Sequence, residues 1–159
     1  VMEGSAAEID DFLRELYKFE HELTYSPQVI EGKFNGMIQA LVSNNMKVRP
    51  VYVTEEIEPE LTGGLQRVPE GLALRLERDD LFHESPMPKY RYRPWAKQGR
   101  LESQVPRLYG ASYGRRGSYY YAMARRPDEA LASFRQALVF DPSSKEAQMA
   151  VKALESGQR

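Results

Sequence analysis

The chain has 159 residues, 42% of them apolar, so it can bury a core as one domain or as two small ones. Its 22 basic and 23 acidic side chains nearly cancel, which excludes a general electrostatic attraction to nucleic acid or to an anionic membrane. The absence of cysteine excludes disulfides, thiolate metal sites and a cysteine nucleophile.

Targeting and membrane segments are not evident. No stretch approaches the roughly 18 consecutive apolar residues of a membrane span. The first five residues, from Val1 to Ser5, lack the basic start and the apolar core of a signal peptide. We expect the chain to be a fragment of a longer protein.

Two amphipathic helices are predicted at the N-terminus. Ser5 and Glu8 have the spacing of a capping box, and the helix that follows is expected to end near Thr24. Ser26-Pro27 predicts the start of a second helix, which ends at Asn44-Asn45. The short link predicts an antiparallel hairpin of amphipathic helices, with the apolar stripe of the second helix on its buried side. The stripes are Ile9, Phe12, Leu13, Leu16, Phe19 and Leu23 in the first helix, and Val29, Ile30, Phe34, Met37, Ile38, Leu41 and Val42 in the second.

A small sheet is expected next. Residues 49–54 are rich in β-branched and aromatic side chains, residues 65–68 form a second short run, and residues 71–77 alternate apolar with polar side chains. Gly63-Gly64 marks a turn. The pattern predicts an α+β fold in which a helical hairpin, a small sheet and a long loop make up a domain over residues 1–105.

The long loop, residues 79–105, shows no sustained period and contains three prolines. Between residues 89 and 100, five basic side chains alternate with three aromatic ones. Such a cluster can contact lipid headgroups or glycans, while the overall charge makes nucleic acid the weaker alternative. The plain alternative is that the rings hold the loop on the core and the basic groups stay in solvent. The candidate surface-binding residues are Arg91, Arg93, Trp95, Lys97 and Arg100.

Residues 106–159 predict a module of three helices. The first runs from Pro106 to Arg125, although its three glycines weaken the helical pattern. The second begins at Pro127 and is broken by Asp141-Pro142, and the third covers Lys145 to Glu155. On the first helix Tyr109, Tyr113 and Tyr120 share a face that is expected to be core. Arg115, Arg116 and Tyr119 are the candidates for facing outward to a partner.

The middle of this module resembles the second half of a tetratricopeptide repeat. The resemblance rests on Ala130-x-x-x-Phe134-x-x-Ala137 followed by Pro142. The small alanines allow two helices to approach, Phe134 fills the gap between them, and the proline ends the helix. The first half departs from the repeat, since Gly117-Ser118 stands where a Leu-Gly pair is usual.

A wider resemblance covers most of the chain. The segments RPVYVT (49–54) and PEGLALRL (69–76), followed by the helical module, resemble the soluble tail of a bacterial family of multi-spanning membrane proteins. That family is similar to protein O-mannosyltransferases that use lipid-linked sugars. The resemblance implies a location at the extracytoplasmic face of the cytoplasmic membrane. It also implies that catalysis belongs to a membrane part outside this chain, so no catalytic residue is expected here.

No other chemistry is predicted. His21 and His83 each precede a glutamate but lack the second histidine of a zinc-protease motif, and no phosphate-binding loop is present. We therefore expect no metal and no cofactor. The expected function is that of a non-catalytic accessory domain that holds a partner protein, an acceptor chain or the membrane-embedded part of its own protein. The alternative is a free-standing, cytoplasmic tetratricopeptide-like adaptor.

Overall fold

The computed structural model describes residues 5–88, 90 and 99–157, with residues 100–103 described by their backbone. This part contains five α-helices and three short strands, so the predicted α+β class is confirmed. The chain divides into two compact units, Val1–Gln66 and Arg67–Arg159. The second unit therefore starts before the boundary expected at residue 105, and Val68 shares one core with side chains of the C-terminal helices.

The first unit begins with the predicted helical hairpin. Helix α1 spans Ala6–Glu20 and helix α2 spans Pro27–Asn45. They run antiparallel, since Ser5 at the start of α1 contacts Asn44 at the end of α2, and Phe12 meets Phe34 with ring centroids 5.5 Å apart. On another side of the pair, Lys33 Nζ lies 2.6 Å from a carboxylate oxygen of Asp11.

Both ends of α1 differ from expectation. The predicted capping box is wrong, because the Ser5 side chain makes no cap hydrogen bond. Its Oγ instead accepts a hydrogen bond from Asn44 Nδ2 at 2.9 Å, which joins the start of α1 to the end of α2. The helix also ends at Glu20 and not near Thr24, and Glu22 then adopts a left-handed φ of 54°.

The rest of the first unit is short elements. Strand β1 is only Tyr52–Val53, and a single 3₁₀ turn covers Pro59–Thr62. The predicted turn at Gly63-Gly64 is confirmed, and both glycines have a positive φ that side chains other than glycine rarely adopt. The 3₁₀ turn lies on the second half of α2, where Gln39 Nε2 donates to the Glu60 carbonyl oxygen at 3.1 Å.

A β-hairpin opens the second unit. Strand β2 spans Gln66–Glu70 and strand β3 spans Ala73–Glu77. They are joined by two residues of which Gly71 has φ 62°, as a tight turn that starts with glycine requires. The predicted alternation is confirmed, since Leu74 and Leu76 are buried on one face of β3.

Three helices complete the second unit. Helix α3, Arg100–Tyr119, begins earlier than the predicted start at Pro106 and continues as a π-helical turn over Tyr120–Ala124. Helices α4, Pro127–Phe140, and α5, Lys145–Gly157, match their predicted starts. Arg125, which links the π-helical turn to α4, has a left-handed φ of 53°.

The contact between α3 and α4 depends on small residues. Ala130, Phe134 and Ala137 of α4 are buried, as predicted. A Cβ atom at Gly117 of α3 would lie 2.9 Å from the Phe134 ring, and one at Gly110 would lie 3.2 Å from the Ala137 carbonyl oxygen. These two glycines therefore let the helices approach closely. The identity of this helix pair as a tetratricopeptide repeat stays a prediction.

Candidate functional site

The basic-aromatic cluster lies largely outside the described residues. Arg91, Arg93, Trp95 and Lys97 all fall there, and Arg100 is described only as the first backbone position of α3. The binding role of these residues stays a prediction.

Tyr119 is a core residue. Its side chain is only 8% exposed, and its ring stacks on Phe82 with centroids 5.6 Å apart. The His83 backbone N–H donates to the Tyr119 hydroxyl at 2.9 Å, and the hydroxyl donates to the His83 carbonyl oxygen at 3.1 Å. Burial raises the pKa of this phenol. The prediction that Tyr119 faces outward to a partner is wrong.

Arg116 holds the interior of the second unit together. Its Nε donates to the Ser85 carbonyl oxygen at 2.9 Å, and its Nη1 donates to Ser133 Oγ of α4 at 2.9 Å. The guanidinium carbon also lies 4.6 Å from the centroid of the Tyr120 ring. The side chain of Arg116 thus contacts Ser85, Ser133 and Tyr120 of its own unit. Its predicted role in binding a partner at the surface is therefore wrong.

The neighbouring residue, Arg115, is half-buried. Its Nη2 donates to Ser112 Oγ, one turn earlier on α3, at 3.2 Å. Burial lowers the pKa of its guanidinium. All three residues of the helical module that were predicted to contact a partner therefore form hydrogen bonds within their own unit. Of the three, Tyr119 is buried and the two arginines are half-buried.

Arg116 and Tyr119 both form hydrogen bonds with a short irregular segment, Phe82–Ser85. We call this segment the strap. Glu84 accepts a hydrogen bond from the Tyr120 hydroxyl at 2.9 Å and another from Arg126 Nη1 at 2.9 Å. The guanidinium of Arg126 also lies 4.9 Å from the centroid of the Phe82 ring. The Tyr120 hydroxyl, and then Arg126, lower the pKa of the Glu84 carboxyl.

Acidification should therefore weaken the second unit through Glu84. A carboxyl whose pKa is lowered by folding stabilises the native state above its ordinary pKa range, and this contribution is lost as the pH falls through the lowered, folded-state value. We expect the urea midpoint to drop between about pH 7 and about pH 3, and to drop less in Glu84→Gln, whose amide does not ionise. A Glu84→Gln protein with the full wild-type drop would contradict this. Glu146→Gln, on the exposed side of α5, is the control and should keep the wild-type drop.

The hairpin of the first unit carries several exposed apolar side chains. No residue of α1 is buried, and Val42 is the buried residue of α2. Leu13 and Phe19 are 52% and 50% exposed, and Phe34 is also exposed. The prediction that the apolar stripe of the second helix is buried is wrong for the first half of α2, where Val29 and Phe34 are exposed.

Mostly apolar side chains of α1, of α2 and of the link between them form a groove along one side of the two helices. The groove has a volume of about 450 Å³. The Phe19 and Tyr25 rings meet edge to face at 5.0 Å near the link between the helices, and the Phe12 and Phe34 rings meet farther along. We call it the hairpin groove; it is lined by Phe12, Leu16, Phe19, Tyr25, Pro27, Ile30, Glu31 and Phe34.

The helical geometry explains why the groove stays open. Phe12, Leu16 and Phe19 recur at steps of three and four, so they share one face of α1. Asp11 and Lys33, by contrast, pair on the other side of the two helices. The apolar faces of α1 and α2 are therefore turned to the same side and only partly toward each other.

Other chemistry is sparse. Among the residues that the structure describes, no three His, Cys, Asp or Glu side chains come together as a metal site would require. No helix in the described part is both long and apolar enough to cross a membrane.

The groove is accordingly the feature with the clearest capacity for an intermolecular contact, and it offers shape and apolar area more than reactive groups. The chain matches no known protein family, and neither the curated proteins nor the solved structures include one that is similar to it.

Proposed function

We propose that this chain is a non-catalytic interaction domain and that its hairpin groove receives a partner protein. The observation that carries the proposal is the incomplete burial of the apolar face of α1, a helix without one buried side chain, on which Phe19 is 50% exposed. Single exposed apolar residues are normal on protein surfaces, but a contiguous exposed patch marks a site of interaction.

The energetics support the same assignment. Apolar surface that leaves water stabilises a complex by roughly 25 cal/mol per Å², and aromatic side chains contribute much of the binding energy at interfaces. Phe12, Phe19, Tyr25 and Phe34 supply four aromatic rings within one groove. In the helical module, by contrast, Arg116 and Tyr119 are occupied by the strap of their own unit. The partner surface of the proposal therefore lies on the hairpin.

The resemblance to a bacterial membrane-protein family extends the proposal. In the parent protein the domain would be the soluble extracytoplasmic tail of a glycosyltransferase-like membrane enzyme. Its task would be to position a partner or an acceptor chain near the membrane-embedded active site. We assign no catalytic residue, metal or cofactor to the chain, so the purified domain is expected to transfer no sugar from a lipid-linked donor.

Site-specific cross-linking in the native host tests the interaction function. A photo-cross-linking amino acid in place of Phe19 should give a discrete adduct of higher mass, because that side chain lines the groove and is 50% exposed. Exchanges at exposed positions change stability by less than about 0.5 kcal/mol, so the protein should stay folded.

The control places the same amino acid at Val139, which is 70% exposed on α4. We expect no discrete adduct there. The absence of an adduct at position 19, or the same set of adducts at both positions, would overturn the proposed function.

A further inference from the structure

The hairpin groove has the dimensions of a site for a single helix. Helix α1 has 15 residues and is therefore about 22 Å long. Two antiparallel helices whose apolar faces are turned to the same side can bury those faces against a third helix that packs in the groove they form. Small helical bundles and helix-in-groove recognition both use this arrangement. The occupant that fits best is thus a helix of about four turns with one apolar stripe.

Charge distinguishes the possible occupants. Residues 5–45 contain seven acidic and three basic side chains, a net charge of −4, although the whole chain is nearly balanced. All three basic groups already pair with acids of the hairpin: Arg14 with Asp10 and Asp11, Lys18 with Glu15, and Lys33 with Asp11.

Four carboxylates of the hairpin lie outside these ion pairs. Glu8, Glu20, Glu22 and Glu31 take part in none of the ion pairs among the described residues. Glu31 is the one charged side chain in the lining of the groove. Glu8, by contrast, lies with Asp11 and Lys33 on the other side of the two helices. The groove is therefore apolar with one acidic side chain in its lining, on a hairpin of net negative charge.

This pattern disfavours two other occupants. A second copy of the hairpin would bring another net charge of −4 against the first, and like charges that face each other weaken an interface. An anionic membrane surface would be repelled for the same reason, because such surfaces attract basic segments.

Resting on the proposed function of the groove, we propose that its partner is an amphipathic helix that carries lysine or arginine beside its apolar stripe. The stripe fills the space between Phe12, Phe19 and Phe34, and the basic groups meet the carboxylates of Glu20 and Glu31. Apolar area provides the affinity, and the charges select the partner and orient it.

Two synthetic helical peptides of about 18 residues test the proposal. They share one leucine stripe and differ only in having lysine or glutamate beside it. Fluorescence anisotropy should show the lysine peptide binding at least about ten-fold more tightly than the glutamate peptide, with the gap narrowing between about 0.05 M and about 0.5 M salt. Phe19→Asp should abolish the binding of either peptide.

Charge exchange provides the matched control. Glu31→Lys should weaken binding of the lysine peptide by about five-fold and strengthen that of the glutamate peptide. Glu146→Lys makes the same change in net charge on α5 of the second unit, where Glu146 is exposed, and should leave both affinities unchanged.

The outcomes separate this proposal from the proposed function. Equal affinity for the two peptides would overturn the proposal that the partner is a basic helix. A dimer seen in sedimentation that Phe19→Asp dissociates would also overturn it, and so would tight binding of the protein to anionic vesicles. Failure of both peptides to bind also overturns it. A cross-link at position 19 would still support the interaction function in each of these cases.

Discussion

Replacement of Phe134 with alanine should lower the free energy of unfolding by about 3–5 kcal/mol. The ring is only 7% exposed and belongs to the core formed with Val68, Tyr120 and Ala147. Its removal loses the transfer free energy of a buried aromatic side chain and leaves a cavity, because Gly117 opposite has no side chain with which to fill it.

Urea denaturation followed by circular dichroism measures this loss, and hydrogen exchange of the α4 amides assigns it to the second unit. Val139→Ala removes apolar atoms from the exposed side of the same helix, where we expect a change within about 0.5 kcal/mol. A loss below about 1 kcal/mol for Phe134→Ala would show that this ring does not separate the two helices.

Local sequence signals predicted several elements well. The start of α2 at Pro27 and that of α4 at Pro127 follow from a proline in the first turn, where its missing N–H costs nothing. The burial of Ala130 and Phe134 follows from helical periodicity. These features depend on residues that are close in the chain, so one sequence is enough to predict them.

Longer-range features could not be predicted in this way. The contact between Glu84 and Arg126 spans 42 positions and the one between Arg116 and Ser85 spans 31. Without knowledge of such contacts, the helical pattern alone predicts that Arg116 and Tyr119 are exposed on an amphipathic helix.

The hairpin groove was missed for a different reason. The apolar stripe of α1 shows that one side of the helix avoids water, but periodicity does not distinguish a side covered by the same chain from one covered by a partner. The uneven charge of residues 5–45 was the signal available in the sequence, because seven acids and three bases within two helices depart from the balance of the whole chain.

The glycines of α3 show how one residue type can have opposite effects in a single helix. We expect Gly114→Ala to stabilise the protein by up to about 1 kcal/mol, since alanine favours helix and nothing lies within 4 Å of the new Cβ. Gly117→Ala should instead destabilise by roughly 1–2 kcal/mol, because its Cβ would lie 2.9 Å from the Phe134 ring and the overpacking exceeds the helical gain.

The sign of the Gly117→Ala effect should reverse once the ring is removed. In a Phe134→Ala background the new Cβ meets the vacated space, so Gly117→Ala should stabilise by up to about 1 kcal/mol, and the coupling between the two sites should reach about 2 kcal/mol.

A loss of 3–5 kcal/mol is comparable to the stability of many domains, so Phe134→Leu serves as a milder background in which the cost of Gly117→Ala should shrink without reversing. The same cost of Gly117→Ala in all three backgrounds would mean that the ring does not rest on Gly117. The close approach of α3 and α4 would then have another cause, such as Gly110 against the Ala137 carbonyl oxygen, where a Cβ atom would meet backbone that cannot rotate away.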